Sequence, residues 1–157
     1  MSDSLGKQFE AKFEKDFLKL EESDVFRLHD QMSGYKIVSK NPSDFICYCY
    51  PYHFYIECKT IKGNTFPISG LSQYDKLLEK AGKKGQRAGV VIWFYEHGKV
   101  VYVPVKTFEK LKNEGKKSIN IKMLNEKLYN MVEIPSKKRI TFFDSDYSIL
   151  MSLEEGW

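Results

Sequence analysis

The sequence predicts an α/β or α+β domain in which a mixed central β-sheet is flanked by helices. Three observations predict it: an apolar stripe at helical spacing near the N-terminus, two adjacent segments rich in aromatic and β-branched residues, and a nearly continuous apolar run further along. The predicted order is helix, strands, helix, strands. With 157 residues, of which 42% are hydrophobic, the chain is expected to form one domain, 1–157, with a substantial core.

The N-terminal elements follow from the spacing of apolar residues. A helix is predicted from Leu5 to Leu20, because its phenylalanines recur on one stripe. Asp16 falls on the same stripe, and the sequence offers no reason for it. Val25 to Leu28 is predicted as a short strand. The polar segment from Asp30 to Pro42 is interpreted as a loop or hairpin excursion.

The middle of the chain predicts two strands and a helix. The strands run from Asp44 to Tyr50 and from Phe54 to Thr60, with the reversal at Pro51–Tyr52. The helix follows near Leu71, and Ser72 forms a capping-box pattern with Asp75 three residues later.

Three further elements are predicted after this helix. The apolar run from Ala88 to Tyr95 indicates a strand that is covered on both faces. Val100 to Val105 is the next strand, and Val105 to Lys112 forms a short helix. Ile140 to Phe143 is predicted to be an edge strand.

The charge pattern is compatible with a nucleic-acid partner without identifying one. The formal net charge is only +4 at pH 7. The basic residues are grouped, however, and each group could contact phosphates or simply be solvated surface. The groups are Lys76, Lys80, Lys83, Lys84 and Arg87; Lys106, Lys110, Lys112, Lys116 and Lys117; and Lys137, Lys138 and Arg139.

The composition argues against several other classes of protein. No run of roughly 18 apolar residues exists, so we expect no membrane span. The start of the chain leads directly into a charged helix and does not resemble a signal peptide. The three cysteines, Cys47, Cys49 and Cys58, lack a CxxC pattern. We therefore expect reduced thiols in a cytoplasmic protein, and no zinc site.

An acidic patch is predicted on the two central strands. Side chains alternate along a strand, so Glu57 and Lys59 share a face and Cys58 points the opposite way. If the reversal is centred between Pro51 and Tyr52, Asp44 faces Lys59, and Glu57 is its diagonal neighbour. The three side chains then converge, although a one-residue slip in register would separate them.

Two carboxylates and a lysine at one point suit phosphodiester hydrolysis. Carboxylate oxygens are ligands that Mg²⁺ prefers, and the backbone carbonyl of Cys58 could also reach the metal. Lys59 could orient water or neutralise the scissile phosphate. The alternative is an ordinary salt bridge across exposed strands. The neighbouring residues look core-like, however, and a charged group in such a stretch needs a partner.

Two helical residues extend the patch. Glu10 lies at the edge of the first helix's apolar stripe and could supply a third carboxylate to the metal. Gln73 lies at the edge of the second helix and could hydrogen-bond water or phosphate. Either could equally be a plain surface residue. The three histidines are scattered at predicted turns and strand ends, and we expect no catalytic role for them.

The order and spacing of these motifs resemble the RecU family of Holliday-junction resolvases, which belongs to the PD-(D/E)XK nuclease superfamily. The resemblance covers roughly Gly6 to Pro104. Its motifs are Gly6-Lys7-Gln8-Phe9-Glu10, Phe26-Arg27-Leu28 with Asp30, Asn41-Pro42-Ser43-Asp44-Phe45-Ile46, Ile56-Glu57-Cys58-Lys59-Thr60, and Phe66-Pro67-Ile68-Ser69 with Gln73.

This resemblance implies a restriction-endonuclease-like fold, a homodimer, dependence on Mg²⁺ or Mn²⁺, and paired nicks across a four-way DNA junction. It implies that Asp44, Glu57 and Glu10 bind metal, that Lys59 is the catalytic lysine, and that Gln73 is the helix glutamine. The predicted DNA contacts are Arg27, Lys36, Lys40, Lys76, Lys83 and Lys84.

Family members carry a stalk before the catalytic aspartate, and residues 30–41 are a short stalk-like excursion here. Typical bacterial members are also longer, so the compact form suggests a phage-encoded relative acting in the host cytoplasm. Two alternatives remain open at this point. One is a general PD-(D/E)XK endonuclease acting on duplex or flapped DNA, and the other is a DNA-binding module without catalysis.

Overall fold

The computed structural model describes residues 2–29, 31–33, 36–39, 41–140 and 143–157, with side chains for 5–29, 41–140 and 143–157. Two predicted DNA contacts, the side chain of Lys36 and the whole of Lys40, lie outside these residues. In chain order the elements are α1 (Ser2–Phe17), β1 (Ser23–Arg27), β2 (Gln31–Ser33), β3 (Lys36–Ser39), β4 (Phe45–Cys49), β5 (Tyr52–Ile61), β6 (Thr65–Pro67), α2 (Tyr74–Lys80), β7 (Gln86–Phe94), β8 (Lys99–Pro104), α3 (Val105–Asn113), β9 (Ser118–Asn120), α4 (Met123–Glu126), β10 (Val132–Ile134), β11 (Ser136–Lys138) and β12 (Phe143–Ser145).

The central sheet is mixed, as predicted. In the described part of the chain it has six strands in the order β1-β4-β5-β7-β8-β10. Neighbouring strands are antiparallel except for β5 and β7, which run parallel. A parallel pair requires a crossover connection, and the segment containing α2 provides it. The shorter pairs β2–β3, β6–β9 and β11–β12 lie outside this sheet.

Helices cover both faces of the sheet. The phenylalanine stripe of α1, Phe9, Phe13 and Phe17, packs on one face, as its spacing predicted. Helices α2 and α3 pack on the other face through residues such as Leu77 and Phe108. Strand β7 lies between these layers and is buried along nearly its whole length, which confirms the prediction for the apolar run. No helix within the described residues is long and apolar enough to cross a membrane.

Some element boundaries differ from the prediction. Helix α1 ends at Phe17 rather than Leu20, because the chain turns there and Ser23 starts β1. The predicted capping box is wrong: Gln73 is the N-cap of α2 and makes no side-chain capping bond. The Ser72 hydroxyl donates instead to the side chain of Gln73 at 2.9 Å.

The predicted hairpin excursion and the predicted C-terminal edge strand are both partly described. The backbone of residues 31–33 and 36–39 pairs as an antiparallel hairpin, consistent with the predicted hairpin before Asp44. The role of this hairpin as a stalk stays a prediction. Near the C-terminus, β12 begins at Phe143 and pairs with β11 rather than with the central sheet. The expected edge strand therefore belongs to a separate hairpin, and residues 141–142 are not described.

The register of the two central strands corrects one detail of the predicted patch. Phe45 pairs with Ile56 and Cys49 with Tyr52, so the reversal is a two-residue turn at Tyr50–Pro51. Proline lacks the N–H that a ladder needs, whereas Tyr52 already pairs as a strand residue. The same register places Asp44 level with Glu57, not with Lys59. Because the shift is even-numbered, all three residues keep the same face.

Candidate active site

Asp44 is held in place by backbone groups from two strands. Its own carbonyl accepts a hydrogen bond from Leu28 N at 2.8 Å, just beyond β1. Its Oδ2 accepts a hydrogen bond from the backbone N of Cys58 at 2.9 Å. The preceding residue, Ser43, is buried and donates its hydroxyl to Phe45 O at 2.8 Å, which secures the entry into β4. The carboxylate is therefore positioned at the edge of β5, where β4 begins.

Glu57 is a buried carboxylate with an unused oxygen. It projects from β5 and is only 3% exposed. Burial raises its pKa, and so does the hydrogen bond that its protonated carboxyl donates to Asp44. Its other oxygen, Oε2, is buried and has no hydrogen-bond partner among the described residues. Buried polar atoms almost always have a partner, so this one indicates a ligand.

Lys59 lies two residues further along the same face of β5. Its charge lowers the pKa of both Glu57 and Glu10, so its ammonium group lies within electrostatic range of both carboxyls. Within the described residues, however, neither Lys59 nor Asp44 nor Glu57 forms an ion pair at 4.0 Å or less. The alternative of a simple cross-strand salt bridge is therefore wrong for these three residues.

Cys58 contributes its backbone and not its thiol. Its side chain is buried in the core beneath α1, where burial raises the pKa of the thiol. Its N–H points toward Asp44. In a strand the N–H and C=O of one residue point to the same edge, so the Cys58 carbonyl also faces the Asp44 side. This is the orientation that the predicted carbonyl ligand requires.

Glu10 reaches the site from α1 but is already paired. Arg27 Nη2 donates a hydrogen bond to Glu10 Oε2, and the Arg27 guanidinium lies 5.6 Å from the centre of the Phe45 ring. Burial and the nearby Asp44 charge raise the pKa of Glu10, while Arg27, Lys59 and Lys7 lower it. The structure thus places Arg27, a predicted DNA contact, in an ion pair with Glu10.

The predicted three-carboxylate metal group is not present as such. Among the described residues, no three Asp, Glu, His or Cys side chains are arranged to hold one metal ion. The oxygen donors in this part of the fold are the neighbouring Asp44 and Glu57 carboxyls and the Cys58 carbonyl, and donors of this kind suit a hard divalent cation such as Mg²⁺. Glu10 as a metal ligand stays a prediction.

Gln73 is not joined to the acidic patch. It is half-buried at the start of α2, and within the described residues no hydrogen bond links it to Asp44, Glu57 or Lys59. Its predicted role with water or phosphate therefore stays untested.

The predicted DNA lysines occupy different environments. Lys76, on α2, is exposed and makes a contact within the protein. Lys83 and Lys84 are exposed in the loop after α2, at the rim of a cleft. Arg87, which the sequence grouped with these lysines, is buried instead. Its Nη2 donates to the carbonyls of Leu153 and Glu154 at 3.0 and 3.2 Å, so Arg87 is not part of the exposed lysine cluster.

Sequence reasoning did not single out Lys7, an exposed residue of α1. Its charge contributes to lowering the pKa of Glu10. A signal was present in the sequence, because residues three apart on a helix are neighbours and Lys7 precedes Glu10 by three.

Comparisons with known proteins identify the fold. No family model matches the chain, and no curated protein matches it. Solved structures do match, and one of them is Hjc of Archaeoglobus fulgidus, a Holliday junction resolvase from an archaeal hyperthermophile. The two chains are 20% identical, the match covers 73% of this chain and 88% of Hjc, and the TM-score is 0.55. The mixed sheet with flanking helices is therefore a restriction-endonuclease-like fold.

Proposed function

We propose that this chain is a magnesium-dependent endodeoxyribonuclease of the PD-(D/E)XK class. The observation that carries the proposal is the buried Glu57 carboxyl, which is held against Asp44 and leaves Oε2 without a partner. Two carboxyls placed together repel each other when ionised, so the arrangement lowers stability unless a cation or a proton compensates it. A divalent cation neutralises this repulsion and also supplies the charge that phosphodiester hydrolysis requires.

The residues of the site take distinct roles in this proposal. Asp44, Glu57 and the Cys58 carbonyl hold the Mg²⁺ ion, and Mn²⁺ can substitute. The ion, when bound, supplies positive charge to the transition state and lowers the pKa of the attacking water. Lys59 has no ion pair within the described residues, so its ammonium is available to neutralise the scissile phosphate or to orient water. Arg27 keeps the Glu10 carboxylate oriented beside them.

The proposed substrate is a four-way DNA junction. Two independent findings support it: the motif order resembles the RecU resolvases, and the fold is like that of a protein described as a Holliday junction resolvase. We propose the RecU type on the motifs alone. The short segment 30–41 favours a compact, phage-encoded member that acts in the host cytoplasm.

A homodimer is proposed because a two-fold junction is matched by a two-fold protein with one site in each subunit. The sheet offers an apolar row beside the site, in which Phe26, Ile46 and Tyr55 lie next to one another on β1, β4 and β5. Phe26 is 65% exposed. Sedimentation of wild type and Phe26→Glu tests the proposal, since a wild-type monomer on saturating junction DNA would contradict it.

The test of activity uses synthetic four-way junction, linear duplex and flapped DNA with Mg²⁺ or Mn²⁺. We expect paired nicks in the junction and little cleavage of the other substrates. The matched controls are Asp44→Asn and Lys59→Ala, which leave the fold intact and remove cleavage.

Each alternative predicts a different result. Duplex or flap cleavage as fast as junction cleavage would favour a general endonuclease. Junction binding without cleavage by any divalent metal would favour a binding module. Cleavage that survives both substitutions would show that the site lies elsewhere.

A further inference from the structure

A second surface feature lies at the other end of β5 and β7. It is an open cleft of about 670 Å³ between the start of these strands and the C-terminal residues. Its basic and aromatic lining consists of Tyr52, Lys83, Lys84, Arg87, Lys106 and Trp157. Glu155 is the one carboxylate side chain that lines it within the described residues. The side chains that line the cleft therefore carry a net positive charge.

The lysines converge on the cleft from two separate elements. Lys83 and Lys84 lie in the loop after α2, whereas Lys106 lies in the first turn of α3. A Cβ built on Gly82 would lie 4.0 Å from Lys106 Nζ, so the ammonium reaches this loop. Within the described residues none of the three lysines forms an ion pair. Their charges are available to an external anion.

The loop that carries two of these lysines is held by hydrogen bonds. Gln86 N donates to Lys83 O at 3.0 Å, and His53 N donates to Gly85 O at 2.8 Å. Gly85 has a φ of +77°, and a Cβ there would lie 3.2 Å from Pro51 O. A positive φ is available mainly to glycine, so Gly85 lets the loop fold tightly against the β4–β5 turn. Lys83 and Lys84 therefore lie on a loop whose backbone conformation is fixed by hydrogen bonds.

Arg87 supplies an independent indication of an anion. It is only 5% exposed, its Nη1 has no hydrogen-bond partner among the described residues, and no described carboxylate pairs with it. Two neutral carbonyls and the Tyr52 ring, 4.2 Å from the guanidinium, are its contacts. A buried positive charge without a negative partner is costly. An anion in the cleft would compensate this charge.

The distance to the acidic patch suggests which anion binds. His53, whose N–H donates to Gly85 O of the cleft loop, and Glu57 are four residues apart on the same face of β5, which corresponds to about 13 Å along a strand. One phosphate per strand recurs every 3.4 Å along a DNA duplex, so about four base pairs span this distance. We propose that the cleft binds backbone phosphates of the same DNA whose scissile phosphate lies at Asp44 and Glu57. This inference rests on the proposed function.

The decisive measurement is the salt dependence of DNA binding without divalent metal, so that cleavage does not enter. The variant Lys84→Ala/Lys106→Ala is compared with Lys15→Ala/Lys122→Ala, which removes two exposed lysines away from the cleft. We expect the slope of log affinity against log salt to fall by about 2 in the cleft variant, or about one per phosphate contact. The control pair should leave the slope nearly unchanged. Equal slopes in the two variants would overturn the proposal.

Tryptophan fluorescence locates the bound DNA. The chain has two tryptophans, of which Trp93 is buried and Trp157 lines the cleft. DNA binding should quench emission in the wild type, and Trp157→Phe should abolish the change. If inorganic phosphate quenches Trp157 and DNA does not, the cleft is a small-anion site and the proposal is wrong. Wild-type cleavage assayed separately with Mg²⁺ distinguishes failure of this inference from failure of the proposed nuclease activity.

Discussion

Two buried carboxylates in this molecule have opposite surroundings. Asp16 on α1 is 2% exposed and Glu57 on β5 is 3% exposed. Asp16 Oδ1 accepts a hydrogen bond from Lys12 at 2.8 Å and forms an ion pair with Lys19 at 3.1 Å. Its Oδ2 accepts a hydrogen bond from Ser145 N at 3.0 Å. Glu57 has a carboxyl as its neighbour and an oxygen without any described partner.

The difference separates a structural carboxylate from a functional one. Asp16 joins α1 to β12, because Lys12 also pairs with Asp144 at 2.6 Å on that strand. This accounts for an acidic residue on an apolar helical stripe. A buried charge whose partners are all present stabilises a particular packing, and removing a partner is costly. A buried carboxyl that lacks partners is the arrangement found at sites for catalysis or ligand binding.

The largest expected effect is the loss of DNA cleavage when Glu57 is substituted. The change Glu57→Gln keeps the shape of the side chain and removes its charge, so it should lower junction cleavage by about a thousandfold. The free energy of unfolding without metal should not fall, since the amide NH₂ can donate to Asp44 as the protonated carboxyl does and no proton has to be taken up on folding. Single-turnover cleavage and denaturant unfolding measure the two quantities. Normal DNA cleavage by this variant would show that Glu57 is not part of the active site.

The corresponding carboxyl-to-amide change at Asp16 should lower stability and leave DNA cleavage unchanged. In Asp16→Asn the amide NH₂ must face a donor, either a lysine ammonium or Ser145 N–H. We expect the free energy of unfolding to fall by about 3 kcal/mol, while single-turnover cleavage of the folded protein stays unchanged. Urea titration provides the measurement. A stable variant with impaired cleavage would reverse the two assignments.

The pH dependence of stability should differ in sign between the regions. The folded-state pKa of Glu57 is raised above its usual 4.5 by burial and Asp44, so the folded state binds more protons and stability falls as pH rises through that window. The pKa of Asp144 is lowered by hydrogen bonds from Lys12 and Arg139, so its contribution is present above pH 3.8 and is lost as pH falls.

Unfolding free energies from pH 5 to 8, measured in a metal chelator, test the Glu57 part of this prediction. Relative to Glu57→Gln, the wild type should lose stability with rising pH, at a slope of at most about 1.4 kcal/mol per pH unit for one proton. Parallel pH profiles for the two proteins would show that Glu57 is ionised throughout this range without metal.

The smallest expected effect concerns Cys58. Because its thiol lies in the core and only its backbone faces the site, Cys58→Ala should leave the cleavage rate unchanged. Loss of the buried sulfur should reduce the free energy of unfolding by about 1 kcal/mol. Cleavage kinetics at a temperature well below unfolding provide the measurement. A large loss of activity would indicate that the side chain, not the carbonyl, serves the site.

The sequence by itself determined which side chains share a face. Strand alternation placed Glu57 and Lys59 together with Cys58 opposite, the helical period grouped the phenylalanines of α1, and the apolar run of β7 indicated burial on both faces. These properties depend on the local geometry of the backbone, which repeats every two or 3.6 residues. They can therefore be predicted from the sequence before any tertiary contact is known.

The tertiary structure decided which groups meet. It set Asp44 level with Glu57, paired Glu10 with Arg27, and buried Arg87 beneath the C-terminal residues. It also brought Lys106 to the loop of Lys83 and Lys84. Each of these contacts joins residues distant in sequence or depends on where a turn closes, so local periodicity does not specify it. The shared face of the patch was thus a property of local sequence, while its partners and its unpaired oxygen were properties of the packed fold.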